Sequence, residues 1–313
     1  MTTFNNDIYV VRLNHLLTGN MGQDLASTSR VIFDETDDNG LILPAELLAE
    51  IFCRAEHGTL LNCQLVCKRW KMMIQSYIWR KKAELALGKP FPRHEGIPWQ
   101  AFYLISKMKP FERNLLKNHS GEQKMKYWSI LSNGGDRWTI ENPPVGVPEL
   151  PLTEPIFEEK QICFATSYHS CTKKQVVNLV AEGIHPYLLD VLQPPIMVSE
   201  WYCCRWDCPA TYECQIELLG IDKEDNTMKI LDKFQFRDTI EGERQNQWLY
   251  VSHVFENYGS GLRKISFLHG GMDKSFWAGH YGSKMAGANI CVKIPPFTHT
   301  YDDESDTPPI LDE

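Results

Sequence analysis

Between His269 and Gly282 the chain reads His-Gly-Gly-Met-Asp-Lys-Ser-Phe-Trp-Ala-Gly-His-Tyr-Gly, and its most suggestive chemistry lies there. Glycines bracket three large aromatics, Phe276, Trp277 and Tyr281, in what the pattern predicts to be a loop and strand edge. Glycine permits sharp turns and close backbone approach, while an exposed ring offers a flat apolar face. Such a face stacks on the C–H side of a sugar ring, and nearby polar groups bond its hydroxyls. Packing of the same rings into the end of a β-domain is the alternative, and composition by itself favours it.

Other reactive residue types form no such constellation. Cys203, Cys204 and Cys208 cluster, with Cys214 as a conceivable fourth thiolate, but the spacing is irregular. No second C-x-x-C and no His pair stands at a finger-like distance, so no metal site is expected. The sequence contains no nucleophile elbow, H-E-x-x-H helix, phosphate loop or dinucleotide fingerprint. Gly259-Ser260-Gly261 reads as a turn between strands, and no pair of carboxylates stands out as a glycosidase dyad. No catalytic residue and no cofactor are therefore assigned. Asn118-His119-Ser120 fits the glycosylation acceptor pattern, yet without a secretory signal it is expected to stay unmodified.

The elements that would position these residues fall into zones. Residues 1–40 form a leader, expected to be partly disordered, which ends in an acidic stretch and the turn signal Asn39-Gly40. Residues 41–87 look helical throughout. Pro44 suits a first helical turn, and Leu47, Leu48, Ile51 and Phe52 recur on one face. Gly58 is expected to end that helix, with Thr59 capping the next. Leu60, Leu61, Leu65, Val66 and Trp70 follow, then Met73, Ile74, Ile78 and Trp79. So many large apolar groups on so small a unit imply that some bury against another protein. Residues 88–126 read as a linker with a short helix, whose Trp99, Phe102, Tyr103 and Ser106 share one side and pack against both neighbours.

From 127 to 297 the period changes to two. Tyr212, Cys214, Ile216 and Leu218 point one way and Glu213, Gln215 and Glu217 the other, the signature of a half-buried antiparallel strand. Similar short runs occur around 177–179, 196–198, 228–230, 234–236, 248–255, 265–267 and 290–294, and a short helix interrupts them around 184–192. Many short strands with turn chemistry between them predict a jelly-roll-like β-sandwich. The fold class is thus α+β, a small helical domain followed by the sandwich, with an acidic disordered tail over 298–313.

Bulk composition sets the outer limits. With 313 residues, 43% hydrophobic, and nine Trp and fourteen Phe among them, two modest domains can bury a sizeable core. The net charge of −8 and the lack of a basic stripe argue against a nucleic-acid partner. The N-terminus lacks a basic n-region and a cleavage site, and no run approaches the roughly 18 apolar residues of a spanning helix. A soluble cytoplasmic protein without membrane insertion is expected. Its ten cysteines are scattered and read as reduced core thiols.

The helical zone resembles the F-box, through its Leu43-Pro44-x-Glu46-Leu47-Leu48 opening and its Cys63-x-x-Val66-Cys67-Lys68-x-Trp70 segment in the expected order. The rest resembles the F-box-associated domain of the sugar-recognising F-box proteins. That likeness runs through Arg113-Asn114-Leu115-Leu116-x-Asn118, Gly134-Gly135-Asp136-x-Trp138, Cys163-Phe164-Ala165-x-Ser167-Tyr168, Ala181-Glu182-Gly183, Trp201-Tyr202 and His269-Gly270-Gly271-x-Asp273. It implies a non-catalytic substrate receptor whose F-box docks on the Skp adaptor of a Skp–cullin–F-box ubiquitin ligase. The adaptor-binding set implied is Leu43, Pro44, Leu47, Leu48, Ile51, Phe52, Leu60, Leu61, Val66 and Trp70.

Several members of that family recognise the inner chitobiose of high-mannose glycans on misfolded glycoproteins exported from the endoplasmic reticulum. Their glycan contacts match Tyr168, Phe276, Trp277 and Ala278. The family commonly carries Tyr-Trp where this chain has Phe276-Trp277, some members have Lys at the position of Ala278, and a Phe occurs at that of Tyr168. The expected partners are the adaptor, through it the cullin, and glycoprotein substrates. A receptor for a non-glycan protein degron is the competing function, and a stand-alone carbohydrate-active enzyme a third that leaves the F-box unexplained.

Overall fold

A computed structural model describes residues 43–221 and 227–296. The expected leader and acidic tail lie outside the described residues, as do Leu41 and Ile42. The chain divides into two compact units after Lys109, inside the stretch read as a linker.

The helical unit begins at Pro44, which adopts an extended conformation at the cap of α1 (Ala45–Arg54). The helix stops at Arg54, four residues before Gly58. Glu56, not Thr59, caps α2 (His57–Cys63), and Gly58 sits inside it. A glycine without capping geometry around it is simply a tolerated helical residue, which a sequence signal cannot tell from a stop. The third helix, α3 (Lys68–Met73), passes through a π-helical turn, Ile74–Ile78, into α4 (Trp79–Leu87). Leu48, Phe52, Leu60, Met73, Ile74, Ile78 and Trp79 converge to make the small core.

The helix expected in the linker is α5 (Trp99–Met108), and it belongs to this unit. Trp79 stacks on Trp99 at 6.0 Å and meets Tyr103 edge-on at 5.1 Å. Residues 101–106 are buried all round, not along one side as periodicity suggested. A helix apolar on every face reads from sequence like an amphipathic one whenever Ser and Tyr fall at helical spacing.

The second unit is a two-layer antiparallel sandwich. Its strands are β1 (Ser129–Asn133), β2 (Thr139–Glu141), β3 (Cys163–Ala165), β4 (Cys171–Asn178), β5 (Ile196–Cys203), β6 (Ala210–Ile221), β7 (Met228–Ile240), β8 (Leu249–Phe255), β9 (Leu262–Asp273) and β10 (Lys284–Val292). One sheet has the order β1-β4-β9-β6-β7 and the other β2-β3-β10-β5-β8. The inward row of β6 is as the alternation predicts, with Tyr212, Cys214, Ile216 and Leu218 buried. The two runs at 228–230 and 234–236 are one long strand, and the helix expected at 184–192 is a π-helical turn over Leu188–Leu192. Residues 110–126 are no linker. Leu115 N–H donates to Ile290 O at 2.8 Å, and the Asn114 side chain bonds Ala288 O and Ile290 N–H, which ties this segment along β10.

A polar knot occupies the middle of the sandwich. Glu200 accepts from the Tyr212 hydroxyl at 2.5 Å and pairs with His269 Nδ1 at 2.6 Å, all three being fully buried. Burial holds the His269 imidazole below its ordinary pKa, although Glu200 pulls the other way. Lys173, equally buried, lies against the rings of Phe164, Trp138 and Trp128, with its ammonium 3.9 Å from the Trp138 centroid. Desolvation pushes its pKa well below the usual lysine range.

The ten cysteines are all free. Seven are buried in the sandwich, but Cys67 is exposed at the start of α3, where its sulfur accepts from Trp70 N–H at 3.5 Å. It is a cap residue, not a core thiol. Burial raises the thiol pKa of Cys203, Cys204 and Cys214 to about 12. Among the described residues no group of three His, Cys, Asp or Glu side chains could hold a metal ion.

Candidate recognition site

His269, Gly270 and Gly271 are not part of a loop or a strand edge. They lie within β9, the central strand of its sheet. A Cβ on Gly270 would come 2.1 Å from the carbonyl oxygen of Cys171 on β4, so the glycine marks close approach of two backbones. The loop proper starts at Asp273, whose buried carboxylate turns the chain. Its Oδ1 accepts from the backbone N–H of Ser275 at 3.0 Å and of Phe276 at 2.6 Å. Phe276 is thereby held at φ +55, a left-handed conformation that a bulky residue adopts only when its surroundings impose it.

The far side of the loop is tied to two other segments. Asp136 Oδ2 accepts from Gly279 N–H at 2.6 Å, and His280 Nε2 lies 3.2 Å from Asp136 O. The Ser167 hydroxyl donates to Gly279 O at 2.7 Å and accepts from Asp136 N–H at 2.9 Å. Ser167 O in turn receives Asp273 N–H at 3.0 Å. Three segments distant in sequence (the turn before Trp138, the β3–β4 loop and the β9–β10 loop) thus form one rim.

Two sets of rings stand on this rim. Tyr168 contacts His169 at 5.1 Å, and His169 meets Phe276 edge-on at 5.9 Å. Trp277 meets Tyr281 edge-on at 5.4 Å, and the Arg205 guanidinium lies over the other ring of that pair, 4.5 Å from the Tyr281 centroid. Phe276 is 65% exposed and Trp277 45%, so neither is packing into the sandwich end. A braced rim with exposed ring faces is suited to bind a ligand carrying C–H surfaces.

In the helical unit a second surface is uncovered. Leu47 is 54% exposed, Ile51 52% and Val66 64%, with Leu43, Pro44 and Leu65 also exposed. Leu61 and Trp70 are half-buried, Trp70 meeting Phe52 edge-on at 5.1 Å.

The F-box-associated region model matches residues 106–292, and the F-box-like model matches residues 41–84. The chain belongs to the F-box-associated family of F-box proteins. It is 36% identical to F-box only protein 6 of Homo sapiens over 255 residues, which covers 80% of this chain and 83% of that one. To F-box only protein 44 of Homo sapiens it is 34% identical over 260 residues, covering 81% and 96%. Among solved structures, a match to a family 16 carbohydrate binding module covers 56% of this chain and 99% of that one at 15% identity and a TM-score of 0.32.

Within this F-box protein the residues expected to form the adaptor set differ in burial, with Leu61 and Trp70 between the extremes. Leu43, Pro44, Leu47, Ile51 and Val66 offer surface, whereas Leu48, Phe52 and Leu60 are buried in the helical core at 6%, 3% and 0% exposure. A single apolar stripe on α1 holds both exposed and buried side chains, because i and i+4 positions on one side face inward while their neighbours face out. Of the expected glycan residues, Phe276, Trp277 and Ala278 share the loop and all three are exposed. Tyr168 reaches Phe276 only through His169, which sequence reasoning passed over. Tyr281 entered only as one of the three loop aromatics, and Arg205 was assigned no role. Arg205 lay hidden in the cysteine cluster, and its adjacency to Tyr281 had no local signal. Among the described residues no helix is long and apolar enough to cross a membrane.

Proposed function

We propose that this protein is the substrate-recognition subunit of a Skp–cullin–F-box ubiquitin ligase and that it reads the chitobiose core of N-linked high-mannose glycans on misfolded glycoproteins. The exposed Phe276–Trp277 pair, presented on a loop braced by Asp273, Asp136 and Ser167, is the observation that carries the reading. Bracing matters because a rim already ordered loses little conformational freedom when a sugar settles on it. Trp277 is the stacking platform, Phe276 and Tyr168 wall the site, and Ala278 leaves the adjoining surface open. The exposed face of α1 and the α2–α3 segment docks the adaptor, and ubiquitin transfer takes place on other subunits. The protein acts in the cytoplasm as a receptor and not as an enzyme.

The test is calorimetric binding of chitobiose to the full-length chain, with Trp277→Ala as the comparison. The substitution is expected to lower affinity at least about tenfold, the effect of losing one good aromatic contact. Binding that survives Trp277→Ala, or capture of a bait that is indifferent to enzymatic deglycosylation, rules out sugar reading by this loop. A phenyl ring at 276 and a methyl at 278 instead of polar side chains favour, as a second reading, a degron made of protein. Under that reading, substrates captured from cells would show no enrichment for glycoproteins.

A further inference from the structure

The bonds from Asp273, Asp136 and Ser167 that brace the Trp277 loop all end on its main-chain atoms. A backbone brace leaves the side-chain torsions of a half-exposed tryptophan open. What orients the indole is therefore contact with other side chains. Trp277 is 45% exposed, and the aromatic ring that abuts it is Tyr281, edge-on at 5.4 Å with the planes at 86°.

Tyr281 is held in its turn. Gly279, at φ +113, lets the chain pass so close that a Cβ there would lie 3.0 Å from the phenol ring. The guanidinium carbon of Arg205 lies over that ring, 4.5 Å from its centroid. Arg205 comes from the β5–β6 loop, and little about it is free to move. Its Nε and Nη2 each donate to the Asp207 carboxylate at 2.8 Å, which locks the plane of the fork. Gly146, at φ +68, closes on the same group, since a Cβ there would fall 2.6 Å from Nη1. The loop itself is tied down by Asn246 N–H to Cys204 O at 3.1 Å, Trp206 N–H to Gly146 O at 3.3 Å and the Gln245 side-chain amide to Arg205 O at 2.9 Å.

We infer that Arg205 is a positioning residue for recognition: stacked on Tyr281, it sets the attitude of the Trp277 ring before a ligand arrives, without contacting the ligand. The effect on affinity rests on the glycan reading of this loop, whereas the effect on the ring rests on the contacts alone. A sugar that settles on an indole already oriented spends less of its binding energy on ordering it. The planar, delocalised guanidinium provides a flat surface for the phenol, which the compact ammonium of lysine does not.

The experiment uses the full-length chain labelled with fluorotryptophan, the Trp277 resonance being identified by its loss in Trp277→Phe. In Arg205→Ala, and equally in Arg205→Lys, which keeps a charge beside Asp207, that resonance is expected to move towards its position in the free amino acid. Chitobiose affinity, measured by calorimetry, should fall about three- to tenfold. Backbone hydrogen exchange over residues 274–282 should stay as in wild type, because the main-chain brace does not pass through Arg205. Tyr281→Phe, which keeps the ring, should behave as wild type, and Arg205→Ala should add nothing to the loss caused by Tyr281→Ala. Should Arg205→Ala fold poorly, the lysine variant carries the test. An unmoved resonance, full additivity with Tyr281→Ala, or faster backbone exchange throughout the loop overturns the inference, the last by showing a support for the chain and not for the ring. If the unsubstituted protein does not bind chitobiose, the glycan reading fails, and the resonance and exchange measurements still decide whether Arg205 orients Trp277.

Discussion

Replacing Leu47, Ile51 and Val66 together by alanine separates docking from folding in the helical unit. Each presents a little over half of its surface to solvent. Full burial of a Leu, Ile or Val side chain is worth about 1.5–3 kcal/mol, so covering the exposed half contributes roughly 0.8–1.5 kcal/mol apiece. Summed, the triple variant forgoes about 2.5–4.5 kcal/mol of adaptor binding, a weakening of roughly 100-fold or more. The helices themselves are expected to hold, since alanine is the best helix former and none of the three side chains fills the core. The counterpart is Leu60→Ala, which opens a cavity at a fully buried site and costs about 2–5 kcal/mol of stability. Titration of purified adaptor into each full-length variant, with melting curves alongside, gives both numbers. Adaptor affinity within about threefold of wild type in a folded triple variant would refute the division of this face, and so would a melting temperature lowered as far as that of Leu60→Ala.

Two further outcomes follow from the geometry. Asp273→Ala removes the acceptor that holds Ser275 N–H and Phe276 N–H, so residues 274–280 should gain hydrogen exchange and glycan affinity should fall about tenfold or more; Asp273→Asn, which retains one oxygen, should stay within a few-fold. Unaltered exchange and binding in the alanine variant would show that the turn is held by other contacts. Acidification should destabilise the sandwich, because burial lowers the pKa of His119, His185 and His269, that of His185 to about 4. The unfolded chain takes up protons near pH 6.5 while the folded chain resists them, so stability is full above 6.5 and is lost as pH falls towards 4. Differential scanning calorimetry at pH 7 and pH 5 should show the melting temperature drop by about 5 °C or more, and a flat profile would contradict the assignment.

What was readable from the chain alone was whatever depends on local pattern. The period-two row of Tyr212, Cys214, Ile216 and Leu218 is buried because a strand's alternate residues must share a face, whatever the sheet around it. The ordered motifs around Leu43-Pro44 and Cys63 to Trp70 likewise marked the helical unit, and Phe276-Trp277 stood out as an aromatic pair between glycines. Each of these signals is carried by neighbours in sequence.

Tertiary structure decided everything that depends on which segments meet. Leu47 and Leu48 are adjacent and chemically identical, yet one is exposed and the other buried, because helix rotation against α4 and the rest of the core selects between them. Gly270 read as a loop residue, but β4 and β6 close on either side of it and make it the floor of a central strand. Asp136, Ser167 and Asp273 lie more than a hundred residues apart at their extremes, yet Asp136 and Ser167 both bond the backbone of Gly279 and Asp273 N–H donates to Ser167 O once the chain has folded. The sequence alone determined that this protein has an F-box unit and an aromatic loop. Only the folded sandwich determined that the loop is braced, that Phe276 and Trp277 are exposed, and that Arg205 lies over Tyr281 beside Trp277, since those contacts join segments distant in sequence and no short-range pattern encodes them.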